Sequence, residues 1–344
     1  MASERHPASG AKAKTRPAAA AFVLLLGAAA LVLAIAGSIS LGAADIRFGT
    51  VWEAVFRFNP GVQQHVVIQE LRLPRTVAAV LIGAGLAVAG AIMQGMTRNP
   101  LADSGLLGLN AGAGLALALC MAFMPGNYMF TMFMCFLGAA LGALLVYGTG
   151  SLAKGGLTPI RLTLAGAAVS ALFVAVSQGI EISFKIGQQV AFWQAGGVAG
   201  TNWKQLAVVG PWMIAAMIGA IVISRSITLL SLGDDVAVSL GQKTVWIKIV
   251  GLAIVLVLAG AGVSIAGPIA FVGLLVPHIA RYLVGVDYRW IIPCSALLGG
   301  LLLTGADTVA RLVNPPSETP VGVLIAVVGV PFLLYIARKQ KGEL

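Results

Sequence analysis

Apolar positions in this chain do not alternate with polar ones. They run on continuously, in stretches long enough to cross a bilayer as helices. A helical crossing needs about 20 mostly apolar residues, and ten stretches are candidates: 20–41, 74–94, 104–124, 128–149, 159–182, 206–224, 246–265, 268–284, 291–311 and 320–337. The eighth is short and carries Pro277, which predicts a broken helix surrounded by protein rather than lipid. Polar interruptions are brief, so the chain reads as one integral membrane domain, 20–340, behind a basic tail, 1–19. Ten spans divide into two sets of five, and an odd number turns the second half upside down relative to the first, as is common in transporters. The expected fold is an all-α integral membrane protein of about ten transmembrane helices in two inverted halves.

Composition sharpens this picture. Of 344 residues, 59% are hydrophobic and only 10% charged, against roughly 25% charged in soluble domains. An ordinary soluble protein is excluded. The 43 glycines suit close helix–helix approach, and Gly108–Gly112 and Gly196–Gly200 have the spacing of small-residue contacts. A net charge of +10 invites a nucleic-acid partner, but its placement argues for topology instead. With the N-terminus inside, fifteen of the 22 lysines and arginines fall on the inner side and seven outside. That bias predicts both termini in the cytoplasm, and no nucleic acid is expected as a partner. Cys120, Cys135 and Cys294 lie within apolar runs and read as small packing residues. The stretch 18–41 is longer than a signal-peptide core and predicts a retained first helix.

Three interruptions stand out. The segment 42–73, with Trp52, Asn59-Pro60-Gly61 and His65, has room for short interfacial helices. The segment 183–205 holds Trp193, Trp203 and turn-forming glycines, and suits an interface or docking surface. The third, 225–245, lies on the cytoplasmic side.

No G-x-x-x-x-G-K-[ST] occurs, so the chain is not expected to cradle nucleotide phosphates. H-E-x-x-H is missing too, and His6, His65 and His278 are far apart in sequence. Neither a cofactor nor catalysis is expected. Uphill transport would draw on an ion gradient or a separate ATPase. An ion-coupled secondary transporter needs an intramembrane carboxylate or broken-helix ion site; Asp307 and Glu181 are the acidic residues near span interiors, and both sit near span ends.

Several constellations carry possible chemistry. Arg72 and Arg75, in Leu71-Arg72-Leu73-Pro74-Arg75, stand at the outer mouth of the second span. Their spacing admits two readings, headgroup anchors or a docking site. Asp307 and Arg311 form an i,i+4 pair at the end of the ninth span. At the inner end of the second span, Pro100 in Arg98-Asn99-Pro100-Leu101-Ala102-Asp103 ends the helix and pushes Asn99 towards an extended conformation. Asp234 and Asp235 open a short helix that Gly241 closes, in Leu232-Gly233-Asp234-Asp235-Val236-Ala237-Val238-Ser239-Leu240-Gly241. On the fifth span Ser177 and Glu181 share a face and, with Gln178, are candidates to line a pathway; interhelical hydrogen bonding is the alternative for Gln178. His278, in the Pro268–Arg281 run, fits a structural hydrogen bond better than a metal site.

These motifs, in this order, resemble the permease subunits of binding-protein-dependent ATP-driven importers for iron-siderophores, haem and cobalamin, over residues 20–340. The resemblance implies the type II ABC importer fold in a bacterial cytoplasmic membrane. It implies a second permease subunit, identical or paralogous, two ATPase subunits and an extracytoplasmic substrate-binding protein. Arg72, Arg75 and Arg311 would dock that protein's carboxylates. Asn99 and Leu101, with Thr158, Pro159 and Ile160, would form a cytoplasmic gate. Asp234, Asp235, Val236, Ala237, Leu240 and Gly241 would couple to the ATPase, the small Ala237 and Gly241 permitting close contact and Val236 and Leu240 anchoring it. Iron-siderophores are the expected substrate, with cobalamin and haem as alternatives.

Overall fold

The computed structural model describes residues 15–42, 46–152, 159–315 and 317–341. In chain order the α-helices are α1 (Pro17–Ser40), α2 (Phe48–Phe56), α3 (Gln63–Val67), α4 (Leu73–Thr97), α5 (Leu109–Phe123), α6 (Tyr128–Leu152), α7 (Pro159–Phe184) and α8 (Gly187–Gln194). The second part of the chain holds α9 (Trp203–Ser231), α10 (Asp234–Ser239), α11 (Thr244–Val255), α12 (Ala261–Ala266), α13 (Val272–Val284), α14 (Tyr288–Val313) and α15 (Val321–Lys341). π-helical turns at Ile68–Arg72 and Leu256–Gly260 join α3 to α4 and α11 to α12 into continuous rods. Among the described residues seven helices are long and apolar enough to cross a membrane, and three shorter apolar ones occupy 109–123, 272–284 and 321–336.

The α4 helix is the hub. In its rod, Gln63–Thr97, 83% of the apolar stretch lies buried inside the protein, against 11% of that in α1. The reason lies in its composition: Gly83, Ala84, Gly85, Ala87, Ala89, Gly90 and Ala91 give it a slim cylinder that neighbours approach closely. It packs against α14, α9, α13 and α11. A Cβ on Gly83 would sit against the Gly299 carbonyl of α14, and one on Gly90 against Gly273 of α13. The Gly108–Gly112 spacing works in the same way: Gly112 meets the backbone of Gly138 and Gly142 meets that of Gly108, closing α5 on α6.

Several expected boundaries move. The first helix starts at Pro17, inside the anticipated tail, because proline suits the first helical turn. Residues 104–107 form a 3-10 turn ended by Gly108 (φ 71°), so the third apolar helix starts only at Leu109. The sixth span continues to Ser231, so the start of the polar segment 225–245 is helical rod and not loop. The eighth stretch is not broken at Pro277, which lies inside a continuous helix, Val272–Val284; the irregular backbone comes before it, at 267–271. Gly267 (φ 67°) and Phe271 (φ 69°) are left-handed, and the helix resumes at Val272.

Candidate functional site

Many of the candidate residues gather at two opposite ends of α4. At its N-terminal end, the π-turn brings Arg72 round to the C-terminus of α1, whose last carbonyls lack helical partners. Arg72 donates from Nη1 to the carbonyls of Ile39 (2.6 Å) and Ser40 (3.0 Å). Arg311, from α14, donates to the carbonyls of Ser38 (2.9 Å) and Leu41 (3.2 Å) and to Ser38 Oγ (2.7 Å). Ser38 in turn shares a hydrogen bond with Thr76 on α4. Two of the three predicted docking arginines therefore cap α1, and both are buried.

Arg75 is held differently. Its Nε and Nη2 make a fork on Asp307, at 2.9 to 3.1 Å, and its Nη1 reaches Glu318 at 2.6 Å. Asp307 is fully buried and also contacts Arg311 at 3.3 Å. The expected i,i+4 pair of Asp307 and Arg311 is present, but the stronger partner of Asp307 is 232 residues away. Neither Glu318 nor the Arg75–Asp307 pair was legible in the local pattern. Arg75 and Glu318 also border a cavity of about 660 Å³ between α5, α6, α8 and the segment entering α15.

At the other end of α4, Arg98 turns left-handed (φ 52°) to end the helix. Asn99 accepts from the Leu101 amide at 2.9 Å, an Asx turn that leaves Asn99 and Leu101 half-buried. Burial pushes the Asp103 carboxyl up, against the lowering effect of hydrogen bonds from Ser104 and Gly105. Pro159 and Ile160 open α7; Thr158 lies outside the described residues. The Asp234 carboxylate at the start of α10 accepts from Lys248 of α11 at 2.9 Å and lies 4.0 Å from Arg98. It thus links the turn that begins at Arg98 to the short helix. Asp287, at the N-terminus of α14, accepts from the amide and guanidinium of Arg289. Burial raises its carboxyl, but Arg289 outweighs that and holds it below the usual range.

The short helix corrects one expectation. Ala237 is fully buried against its own chain, so it cannot offer a close contact to a partner. Val236, Val238 and Leu240 are the exposed apolar positions, and Gly241 (φ 81°) ends the helix in open space. Asp235 stands in its first turn.

Ser177 donates to Glu181 at 2.8 Å along α7, as their shared face predicted. Ser177 is buried, whereas Gln178 is exposed. A polar residue missed in the sequence is Gln94. It is buried within α4, donates to the carbonyls of Gly273 and Leu274 (both 3.3 Å) and faces Arg281, which also donates to Tyr288 Oη at 2.7 Å. The available signal was a lone amide inside an apolar run. His278 packs edge-on against Phe332.

The FecCD transport family model matches residues 30–339. The chain is similar to the iron(3+)-hydroxamate import system permease protein FhuB of Bacillus subtilis, 53% identical over 331 residues that cover 95% of this chain and 85% of that protein. It is also similar to the ferric enterobactin transport system permease protein FepD of Escherichia coli, 40% identical over 96% of this chain and 98% of that one. Among solved structures, a metal-chelate type ABC transporter in an inward-facing conformation superposes with a TM-score of 0.80 at 27% identity, covering 93% of this chain and 99% of that one.

Proposed function

Because the chain belongs to the FecCD transport family, we propose that it is the membrane permease of an ABC importer for iron(III)-siderophores, with cobalamin or haem as the alternative cargo. The observation that carries this reading is the correspondence, over 95% of the chain, with an iron(3+)-hydroxamate import permease. The chain is a multi-pass membrane protein of a non-catalytic permease family. In this reading its seven long and three short apolar helices make ten crossings in two inverted sets of five. Both termini and α10 face the cytoplasm, and the Arg75 end faces outward.

In this reading each end of the molecule has its own work. Outside, Arg75 is the cation to which a substrate-binding protein would bring a carboxylate, while Arg72 and Arg311, buried as caps of α1, add their positive charge from behind it. Inside, the exposed Val236, Val238 and Leu240 suit a groove on an ATPase subunit, one for each of two permeases, the second identical or paralogous. Asp234 passes the motion of α10 to α11 through Lys248 and towards the Asn99–Leu101 turn through Arg98. Ser177, Gln178 and Glu181 on α7 face the pathway between the two permeases, since an exposed amide such as Gln178 is costly against lipid.

Reconstitution tests this reading. In proteoliposomes holding the permease pair, ATPase and binding protein, ATP should drive uptake of iron-siderophore in preference to cobalamin and haem. The permease chain alone should hydrolyse no ATP. Uptake that follows an ion gradient with the ATPase omitted would overturn the reading in favour of a secondary transporter.

A further inference from the structure

Two neighbouring helices, α9 and α11, carry exposed apolar faces, and each face ends in a cation. On α9, Ile218, Ile221, Val222 and Arg225 are exposed at i, i+3, i+4 and i+7, which puts them on one side of the helix. Along α11 and just ahead of it, Lys243, Trp246 and Val250 are exposed at i, i+3 and i+7, with Ile249 beside them. Gly219 meets Ile254, a Cβ there lying 3.3 Å away, and Ser226 meets Gln242, so the two helices run antiparallel. Gly219 and Ile254 each sit about a quarter of a turn from the exposed face of their own helix. With the helices antiparallel, that turns both faces to the same side. The result is one apolar seam with a basic end.

At that end Gln242, in the turn between α10 and α11, donates from Nε2 to Ser226 Oγ of α9 at 3.3 Å. The bond sets Arg225 and Lys243, the chain neighbours of these two residues, at one level on adjoining helices. Neither cation has an ion pair or a side-chain hydrogen bond among the described residues. Gln242 Oε1 is buried and accepts from nothing among them, and an acceptor left open in this way keeps the full cost of its lost water. Trp246 is largely exposed. Its ring has an apolar body and a polar N–H, which suits the headgroup level of a membrane.

We infer that the seam between α9 and α11 binds a phospholipid of the cytoplasmic leaflet and selects an anionic headgroup of the phosphatidylglycerol kind. The leaflet rests on the importer reading above, which turns α10 to the cytoplasm. Acyl chains lie along Ile218, Ile221, Val222 and Val250, and the phosphate sits between Arg225 and Lys243. A glycerol headgroup has hydroxyls to donate to Gln242 Oε1. Two unpaired cations at one level attract a net negative charge, and basic pockets between spans on the inner side bind anionic lipids for that reason. An acidic patch on an ATPase subunit is the rival partner for the two cations. It fits less well, because the apolar row that leads to Arg225 on the same face belongs in hydrocarbon. The Gln242 amide also donates to the carbonyl of Ala237 at 3.0 Å, so a lipid held at Gln242 braces α10 where it hangs from the seam.

The test uses the complete importer, permeases and ATPase together, in phosphatidylcholine nanodiscs. These carry a graded minor share of lipid brominated on its acyl chains, either phosphatidylglycerol or phosphatidylcholine. Bromine quenches a tryptophan that it touches, and the part of the quenching lost in Trp246→Phe reports the seam. Brominated phosphatidylglycerol should half-quench Trp246 at a mole fraction about ten-fold lower than brominated phosphatidylcholine. Arg225→Gln with Lys243→Gln should erase that difference, and melting temperature should be unchanged because both positions are exposed. Glycerol 3-phosphate in solution should not relieve the quenching, since the acyl chains supply part of the hold. Equal quenching by the two lipids, annular lipid only, overturns the inference. So does a Trp246 that neither lipid quenches, relief by the soluble phosphate, or a preference that the double variant keeps. The preference should also persist in the permeases stripped of ATPase; its loss there would give the two cations to the ATPase instead. None of these readings involves cargo, whereas the importer reading fails by the lack of ATP-driven uptake, so the two failures are separate.

Discussion

Asp307 is the residue on which the outer cluster depends. It is fully buried between two arginines from different parts of the chain, and such a carboxylate is expensive to lose because the cations it serves stay behind. Removing one partner of a buried pair costs about 3–5 kcal/mol, so Asp307→Asn should lower the melting temperature of the purified permease sharply. Glu318 is 44% exposed, and an exposed pair contributes roughly 0–1 kcal/mol. Glu318→Gln should therefore leave the fold intact. It also removes a competing carboxylate from Arg75, so affinity for the substrate-binding protein should rise in a surface-binding assay. Arg75→Glu should do the opposite, more severely at low salt, since charge pairs in a desolvated interface couple by about 1.5–7 kcal/mol. Unchanged docking in both variants would remove Arg75 from the docking surface.

At the scale of elements, α10 shows how a single turn of helix separates two jobs. Its Ala237 is a core residue and its Leu240 an exposed one. Ala237→Leu should overpack the contact with α9 at a cost of about 1–3 kcal/mol, seen as a lower melting temperature. Leu240→Ser should leave melting unchanged but reduce co-purification of the ATPase. If Leu240→Ser leaves the ATPase bound and fully stimulated, α10 is not the coupling element. The sequence pattern marked this helix and its acidic start correctly, yet it grouped Ala237 with the contact residues. Which side of one turn faces the rod behind it depends on the angle at which α10 leaves α9. Gly233, at φ 130°, sets that angle, and no periodicity over six residues encodes it.

The whole molecule is organised around α4, and its contacts are made by backbone meeting backbone. Gly83 and Gly299 leave no room for a Cβ on either side. Gly83→Leu should push α14 away, drag Arg311 from the carbonyls of α1 and loosen the outer cluster from a distance. Expected readouts are a lower melting temperature and weaker docking together, although position 83 touches no partner. Gly126→Ala, at an open turn with nothing within 4 Å, lies in a left-handed conformation (φ 99°) and should cost local strain without disturbing α4 against α14.

The sequence by itself determined the kind of object this is. Continuous apolar runs force helices, because a bilayer leaves backbone groups no other partner. Pro100 and Gly241 marked two helix ends, and the motifs in their order along the chain carried the family resemblance. Ser177 with Glu181 was readable because four residues along a helix is a fixed distance. Tertiary structure alone decided who neutralises whom. Arg75 meets Asp307 across 232 positions and Glu318 across 243, and those contacts turn three outward-looking arginines into two caps of α1 and one paired cation. Such long-range pairing follows from how rods of differing girth stack around a slim central helix, and girth acts on neighbours that local spacing does not name.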